Sequence, residues 1–122
     1  MHELSVCQAI IAEVEAIASH NRARRVCDVY LSVGPLSGVE TELLRNAFPF
    51  AAANTVAAEA MLHVVTTPVR VRCSLCDAES EVPANQLCCA ECSSWKTRLV
   101  SGDELLLDRV EMQRDTLEEA YV

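Results

Sequence analysis

Cys73-Ser74-Leu75-Cys76 and, twelve residues further on, Cys89-Ala90-Glu91-Cys92 decide how this chain can fold. A C-x-x-C turn brings two sulfurs to the same side of the backbone. Two such turns complete a tetrahedron of thiolates with Zn–S arms of about 2.3 Å. Four sulfurs leave no position for water, so the site reads as closed and structural. The surrounding stretch, 69–100, is short of large apolar residues and cannot build a core alone; the metal has to hold it. Pro68 and Ser101-Gly102 bracket it and read as hinges. Two other uses of paired cysteines stand beside zinc: a redox dithiol and a rubredoxin-type iron site, the latter red in colour. Cys88 directly precedes Cys89 and would turn the second knuckle into C-x-x-x-C. Matching knuckles favour Cys89 and leave Cys88 a spare thiol.

Outside this stretch the sequence reads as one small α+β unit. Leu4, Cys7, Ile11, Val14 and Ala18, widened by Ile10 and Ile17, follow the helical period over 4–18, and His20-Asn21 supplies a stop. Residues 26–33 alternate, with Cys27, Val29, Leu31 and Val33 sharing one face, as in a half-buried strand. Gly34-Pro35 and Ser37-Gly38 punctuate it. A second helix is expected over 39–58, kinked or split at Pro49. Further strands are expected over 60–67 and 103–112. The fold class is therefore α+β: a small three-stranded sheet packed by two helices, carrying an inserted zinc-ribbon-like module of two C-x-x-C knuckles. Residues 1–68 plus 101–122 form one domain and 69–100 the zinc-binding module.

Composition narrows the function. Of 122 residues, 51% are hydrophobic but only five are aromatic, so the core must be aliphatic. Nothing approaches the roughly 20 apolar residues of a membrane span, and no secretion signal opens the chain, which points to the cytoplasm. In that reducing compartment paired cysteines favour metal over disulfides. The net charge is −8, and residues 69–100 balance four basic against four acidic side chains. No basic stripe exists to neutralise phosphates, so nucleic acid is not expected as a partner, nor is a membrane.

Met1-His2-Glu3 reads as a second, looser metal site, with an ordinary solvated terminus as the alternative reading of these three residues alone. The α-amine, the His2 backbone nitrogen and the His2 imidazole can close two fused chelate rings on one ion. Glu3 can add its backbone nitrogen or its carboxylate. Planar, nitrogen-rich coordination suits Ni(II) and Cu(II). Such donors must shed protons to bind, so the site loads near neutral pH and releases in mild acid.

Together with the MHELS start at 1–5, the Gly-Pro-Leu-Ser-Gly turn at 34–38 and Ser-Gly-Asp-Glu-Leu at 101–105, these motifs resemble the hydrogenase nickel-incorporation proteins, the HypA/HybF family. The resemblance covers nearly the whole chain. It implies a nickel metallochaperone holding one structural Zn(2+) per chain at Cys73, Cys76, Cys89 and Cys92. Ni(2+) is a transient cargo at His2, assisted by Met1 and Glu3. The implied partners are a maturation GTPase and the [NiFe]-hydrogenase large-subunit precursor, with urease served in some organisms. Ala90 stands where the family often has proline.

No nucleophile is paired with a base, so no enzyme is expected and no catalytic residue is assigned. The chain is expected to be a monomer or weak homodimer. Cys7 and Cys27 read as core thiols, His20 as a helix-end cation, His63 as a strand residue, and Asp103 and Glu104 as solvated acids. The rival readings are a zinc-ribbon protein–protein adaptor with an incidental His2, and a redox protein using the cysteine pairs.

Overall fold

The computed structural model describes residues 2–114 and 119–121. Helix α1 covers Glu3–His20 and ends where Asn21 caps it, its backbone N–H and its side-chain Nδ2 both donating to the Ile17 carbonyl at 3.1 and 2.8 Å. Cys7, Ile10, Ile11, Val14 and Ala18 are buried on one stripe, as the period requires. The first turn departs from the expectation. Leu4 is 48% exposed, and Glu3 is the side chain that turns inward, 8% exposed. A buried acid needs a donor, and Glu3 finds one on the second helix.

Strand β1, Ala23–Val33, lies at the centre of a sheet ordered β2-β1-β6-β7. It pairs in parallel with β2, Met61–Thr66, and antiparallel with β6, Leu105–Arg114. A parallel pair needs a crossover, and helix α2, Thr41–Ala52, supplies it. This helix stops three residues after Pro49 rather than running to 58, since proline removes a helical N–H donor. Beyond the three expected strands, β7, Glu119–Tyr121, pairs with β6. Both helices pack on the sheet and on each other around one aliphatic core that includes Leu31, Leu44, Phe48, Val110 and Met112.

Cys27 is not a core thiol. The β1–β6 register shifts between Val26 and Asp28, a bulge that turns Val26 inward and leaves Cys27 half-buried. Asp28 then points to the opposite face, where its Oδ1 lies 2.8 Å from His63 Nε2. Tyr30 stacks on the His63 ring at 4.3 Å, and Arg109 lies 4.1 Å over the Tyr30 ring. His63 is thus engaged in a polar stack on the sheet face away from the helices.

Residues 69–101 carry a second antiparallel sheet that periodicity does not reveal: β4 (Glu79–Glu81), β3 (Arg70–Cys73) and β5 (Thr97–Ser101), with β3 central. Its apolar cluster is only Val69, Val71 and Val82, with Leu36 and Leu99 packed against them. Leu36 comes from the loop after β1, so that loop joins the two sheets.

The connections between the sheets are cross-braced. Gly34 N–H donates to the Glu104 carbonyl at 2.8 Å, Leu36 N–H to the Gly102 carbonyl at 2.7 Å, and Ser101 Oγ to the Pro68 carbonyl at 2.9 Å. The Gly34 backbone lies directly on Gly102: a Cβ at position 34 would stand 2.2 Å from the Gly102 carbonyl carbon. Gly102 itself has φ +118, open to glycine and rarely to other residues. Glu104 is not a solvated acid. Its Oε1 accepts from the Thr67 hydroxyl at 2.6 Å and the Gly102 N–H at 2.8 Å, and these bonds hold its pKa below the ordinary carboxylate value, the Thr67 hydroxyl first among them.

Candidate metal centres

β3 ends at Cys73, and the chain turns at once through Ser74 and Leu75 to Cys76. The Leu75 and Cys76 N–H groups both point back at Cys73 Sγ, at 3.3 and 3.4 Å. The second knuckle repeats the geometry: Glu91 and Cys92 N–H groups reach Cys89 Sγ at 3.4 and 3.5 Å. Identical turns give identical sulfur placement, which is why the spacing alone is informative.

The two knuckles face each other. Cys73 Sγ lies 3.5 Å from Cys92 Sγ, Cys76 Sγ lies 3.5 Å from Cys89 Sγ, and all four sulfurs fall within 4.8 Å of one another. A tetrahedral ion with sulfur arms of about 2.3 Å has S···S edges of about 3.8 Å. The cluster can therefore hold such an ion with little rearrangement. Cys73 and Cys89 are buried, whereas Cys76 and Cys92 are exposed. Hydrogen bonds from the Cys76 and Leu75 N–H groups lower the Cys73 pKa to about 6. The Cys92 and Glu91 N–H groups lower that of Cys89. At Cys76 the Ala78 N–H acts in the same direction, but sharing protons with Cys89 and Cys73 and losing solvent outweigh it, and its pKa is pushed up to about 12. The inner sulfur of each knuckle is thus acidified by its own turn, which prepares it as a ligand.

Cys88 stays outside the cluster. It is half-buried beside Cys89 in a cavity of about 290 Å³ lined also by Val82, Pro83 and Gln86. Cys7 is fully buried between the helices, its thiol 3.5 Å from the Leu44 carbonyl, and burial followed by the nearby Glu3 charge pushes its pKa up to about 11. These environments predict selective labelling. Iodoacetamide at pH 8 should modify Cys88 in the metal-loaded protein and leave Cys7 untouched, because Cys7 is both enclosed and protonated. Peptide mass spectrometry reads the result.

At the amino terminus, Met1 lies outside the described residues. His2 is exposed and caps α1 in the left-handed region, φ 51 and ψ 25, with no side-chain capping bond. Its carbonyl accepts the Val6 N–H at 2.9 Å. Glu3 Oε2 accepts the Glu40 N–H at 3.2 Å, at the start of α2. His20 is exposed in the last turn of α1, and neither His20 nor His63 belongs to a metal cluster among the described residues. No helix among these residues is long and apolar enough to cross a membrane.

A two-layer α+β unit carrying, on a second small sheet, four cysteines placed to hold a metal ion defines a protein equipped to bind a metal. Comparison then gives the family. The model of the HypA family, described as hydrogenase/urease nickel incorporation, metallochaperone, matches residues 1–112, and the chain belongs to this family. Hydrogenase maturation factor HypA of Nitrosospira multiformis is 48% identical over 112 residues, covering 92% of this chain and 97% of the relative. That of Aquifex aeolicus is 36% identical over 115 residues, covering 94% and 100%. The solution structure of the nickel metallochaperone HypA from Helicobacter pylori superposes with a TM-score of 0.67 at 29% identity, covering 94% of this chain and all (100%) of that one. A further HypA solution structure gives a TM-score of 0.72 at 28% identity, covering 94% and 98%.

Proposed function

We propose that the chain binds Ni(II) at its amino terminus and delivers it, with a GTPase partner, to the [NiFe]-hydrogenase large-subunit precursor, and to urease where one is present. The observation that carries this reading is the exposed His2 standing at the open end of α1, in a chain of a nickel-incorporation family. The first N–H groups of a helix have no partner within it, so the backbone nitrogens of His2 and Glu3 can serve a metal without unravelling α1. Electrostatics favour the same mode. A bare dication is repelled by the positive end of a helix dipole. An ion that displaces two amide protons arrives with its charge cancelled. Uptake then releases protons, and affinity falls as pH drops. The Met1 amine and the His2 imidazole complete the proposed donor set with Glu3.

Cys73, Cys76, Cys89 and Cys92 are proposed to hold one structural Zn(2+), which favours four thiolates in a closed tetrahedron. Residues 69–100 are then the zinc module, and 1–68 with 101–122 the nickel-binding domain. The exposed Trp95 and Leu75 flank the knuckles, 76% and 68% accessible, and support a role for the module in docking a partner protein. We place the protein in the cytoplasm, without catalytic activity of its own, as a monomer or weak homodimer. His2→Ala should abolish hydrogenase maturation in a strain lacking its own copy, at unchanged protein level. Full hydrogenase activity in that strain would count against nickel delivery.

A further inference from the structure

β2, Met61–Thr66, is the outer strand of the larger sheet, and among the described residues no strand pairs with its far side. Edge strands are usually guarded against pairing with other chains by charge, proline or a bulge. β2 carries none of these guards. Its sequence is MLHVVT, its pairing with β1 runs without a register shift, and its one titratable side chain, His63, is drawn inward to Asp28. Leu62 and Val64 pack on the core, whereas Met61 and Val65, on the face away from the helices, are 63% and 59% exposed. We propose that two copies of this chain join β2 to β2, antiparallel, about a two-fold axis at His63. Such a dimer does not depend on nickel, and it gives the weak homodimer an interface.

The backbone sets the register. Thr67 N–H donates to the Val33 carbonyl at 3.1 Å, so the odd-numbered residues here turn their backbone groups towards β1. Backbone groups alternate in direction along a strand, which leaves those of Leu62 and Val64 facing the open edge. Leu62 placed opposite Val64 of the other copy lets the two residues exchange both hydrogen bonds. His63 then faces His63 across the axis as a non-hydrogen-bonded pair, with Cα atoms about 4.5 Å apart. Met61 faces Val65 of the other copy on either side, so two apolar pairs flank the axis on one face.

The rings favour a second copy over an unrelated strand. Arg109, Tyr30 and His63 form a ladder across β6, β1 and β2. Arg109 lies 4.1 Å over the Tyr30 ring, and the Tyr30 and His63 rings stack at 4.3 Å with 10° between their planes. These spacings are close to the roughly 4.8 Å between neighbouring strands, so each step of the ladder is one strand. At His63 the ladder stops with one ring face turned to the edge, the side chain 34% accessible. A second His63, one strand spacing further on, continues it, and the other copy's own ladder follows by symmetry. The Asp28 carboxylate, 2.8 Å from His63 Nε2, holds the ring in this pose. An unrelated strand would have to bring its own ring to the same position.

Sedimentation equilibrium of the full-length, zinc-loaded chain tests this. Native protein should show a monomer–dimer equilibrium. Val65→Lys should raise its dissociation constant at least about ten-fold, because each dimer loses two cross-strand pairs at once. Val65 is exposed, so the variant should keep its zinc and its unfolding midpoint. A native chain that stays monomeric at about 1 mM, where even a weak interface is populated, would overturn the proposal. An unchanged dissociation constant in Val65→Lys would overturn it equally. The register has its own test in the double variant Met61→Cys with Val65→Cys, oxidised with glutathione disulfide. Positions 61 and 65 of one strand lie about 13 Å apart, too far for a disulfide, so only a second copy can close the bond. Peptide mass spectrometry should find position 61 linked to position 65 of the other copy. Links of 61 to 61 or of 65 to 65, or no link at all, would contradict the axis at His63.

Discussion

Stripping the metal from the four-cysteine site is expected to unfold residues 69–100 and leave the helices and the larger sheet standing. The second sheet has three buried valines and strands of three to five residues. Such a core cannot offset the conformational entropy of ordering the segment. Structural zinc contributes about 10–16 kcal/mol in small domains at pH 7, and that free energy is folding free energy. Cys89→Ala should act like a chelator, because it removes one of four thiolates and both backbone N–H bonds that its sulfur accepts. In amide correlation spectra the resonances of Val71, Leu99 and Trp95 should collapse to unfolded positions, while those of Val29, Leu31 and Val110 persist. Retention of the dispersed Val71 and Leu99 signals without metal would show that the segment folds unaided.

Gly34→Ala should be the most damaging single methyl in the chain. The added Cβ would stand 2.2 Å from both the carbonyl carbon and oxygen of Gly102 and meet Asp103 N at 2.8 Å, all of them backbone atoms. Flexible side chains can move aside, but these atoms are held by the Gly34–Glu104 and Leu36–Gly102 hydrogen bonds. A destabilisation of roughly 4 kcal/mol or more is expected, in the range reserved for severe overpacking and strain. Denaturant unfolding measures it. Gly38→Ala is the control: nothing lies within 4 Å of its Cβ, so only the strain of φ +82 remains, about 1–2 kcal/mol. Similar losses at the two positions would mean that the junction yields.

The sequence made the local features legible and hid the ones that depend on distant partners. C-x-x-C spacing is informative because each turn sets its own sulfur geometry, and the structure brings Cys73, Cys76, Cys89 and Cys92 together with Cys88 outside. The α1 and β1 periods gave the core faces, and both failed at one end. Glu3 replaces Leu4 inside because the start of α2 offers it an N–H, a contact 37 positions away in sequence. Cys27 is lost from the core because a bulge shifts the alternation by one residue. The strands of the second sheet are short and charged, RVRC, ESE and TRLVS, and pair across strands, as Arg72 Nη2 does with Glu79 at 3.0 Å, so no hydrophobic pattern announces them. Glu104 and the Gly34–Gly102 contact are set by loops meeting in space, for which a single sequence carries no signal.

The proposed nickel site at Met1, His2 and Glu3 carries the central claim. Its most direct test is a Ni(II) titration of untagged, zinc-loaded protein beside His2→Ala, with metal content measured beforehand. The account predicts one nickel per chain in the native protein, weaker as the pH is lowered, and loss of that binding in the variant with zinc retained. Equal and weak binding by both proteins would contradict it and leave a zinc-held adaptor.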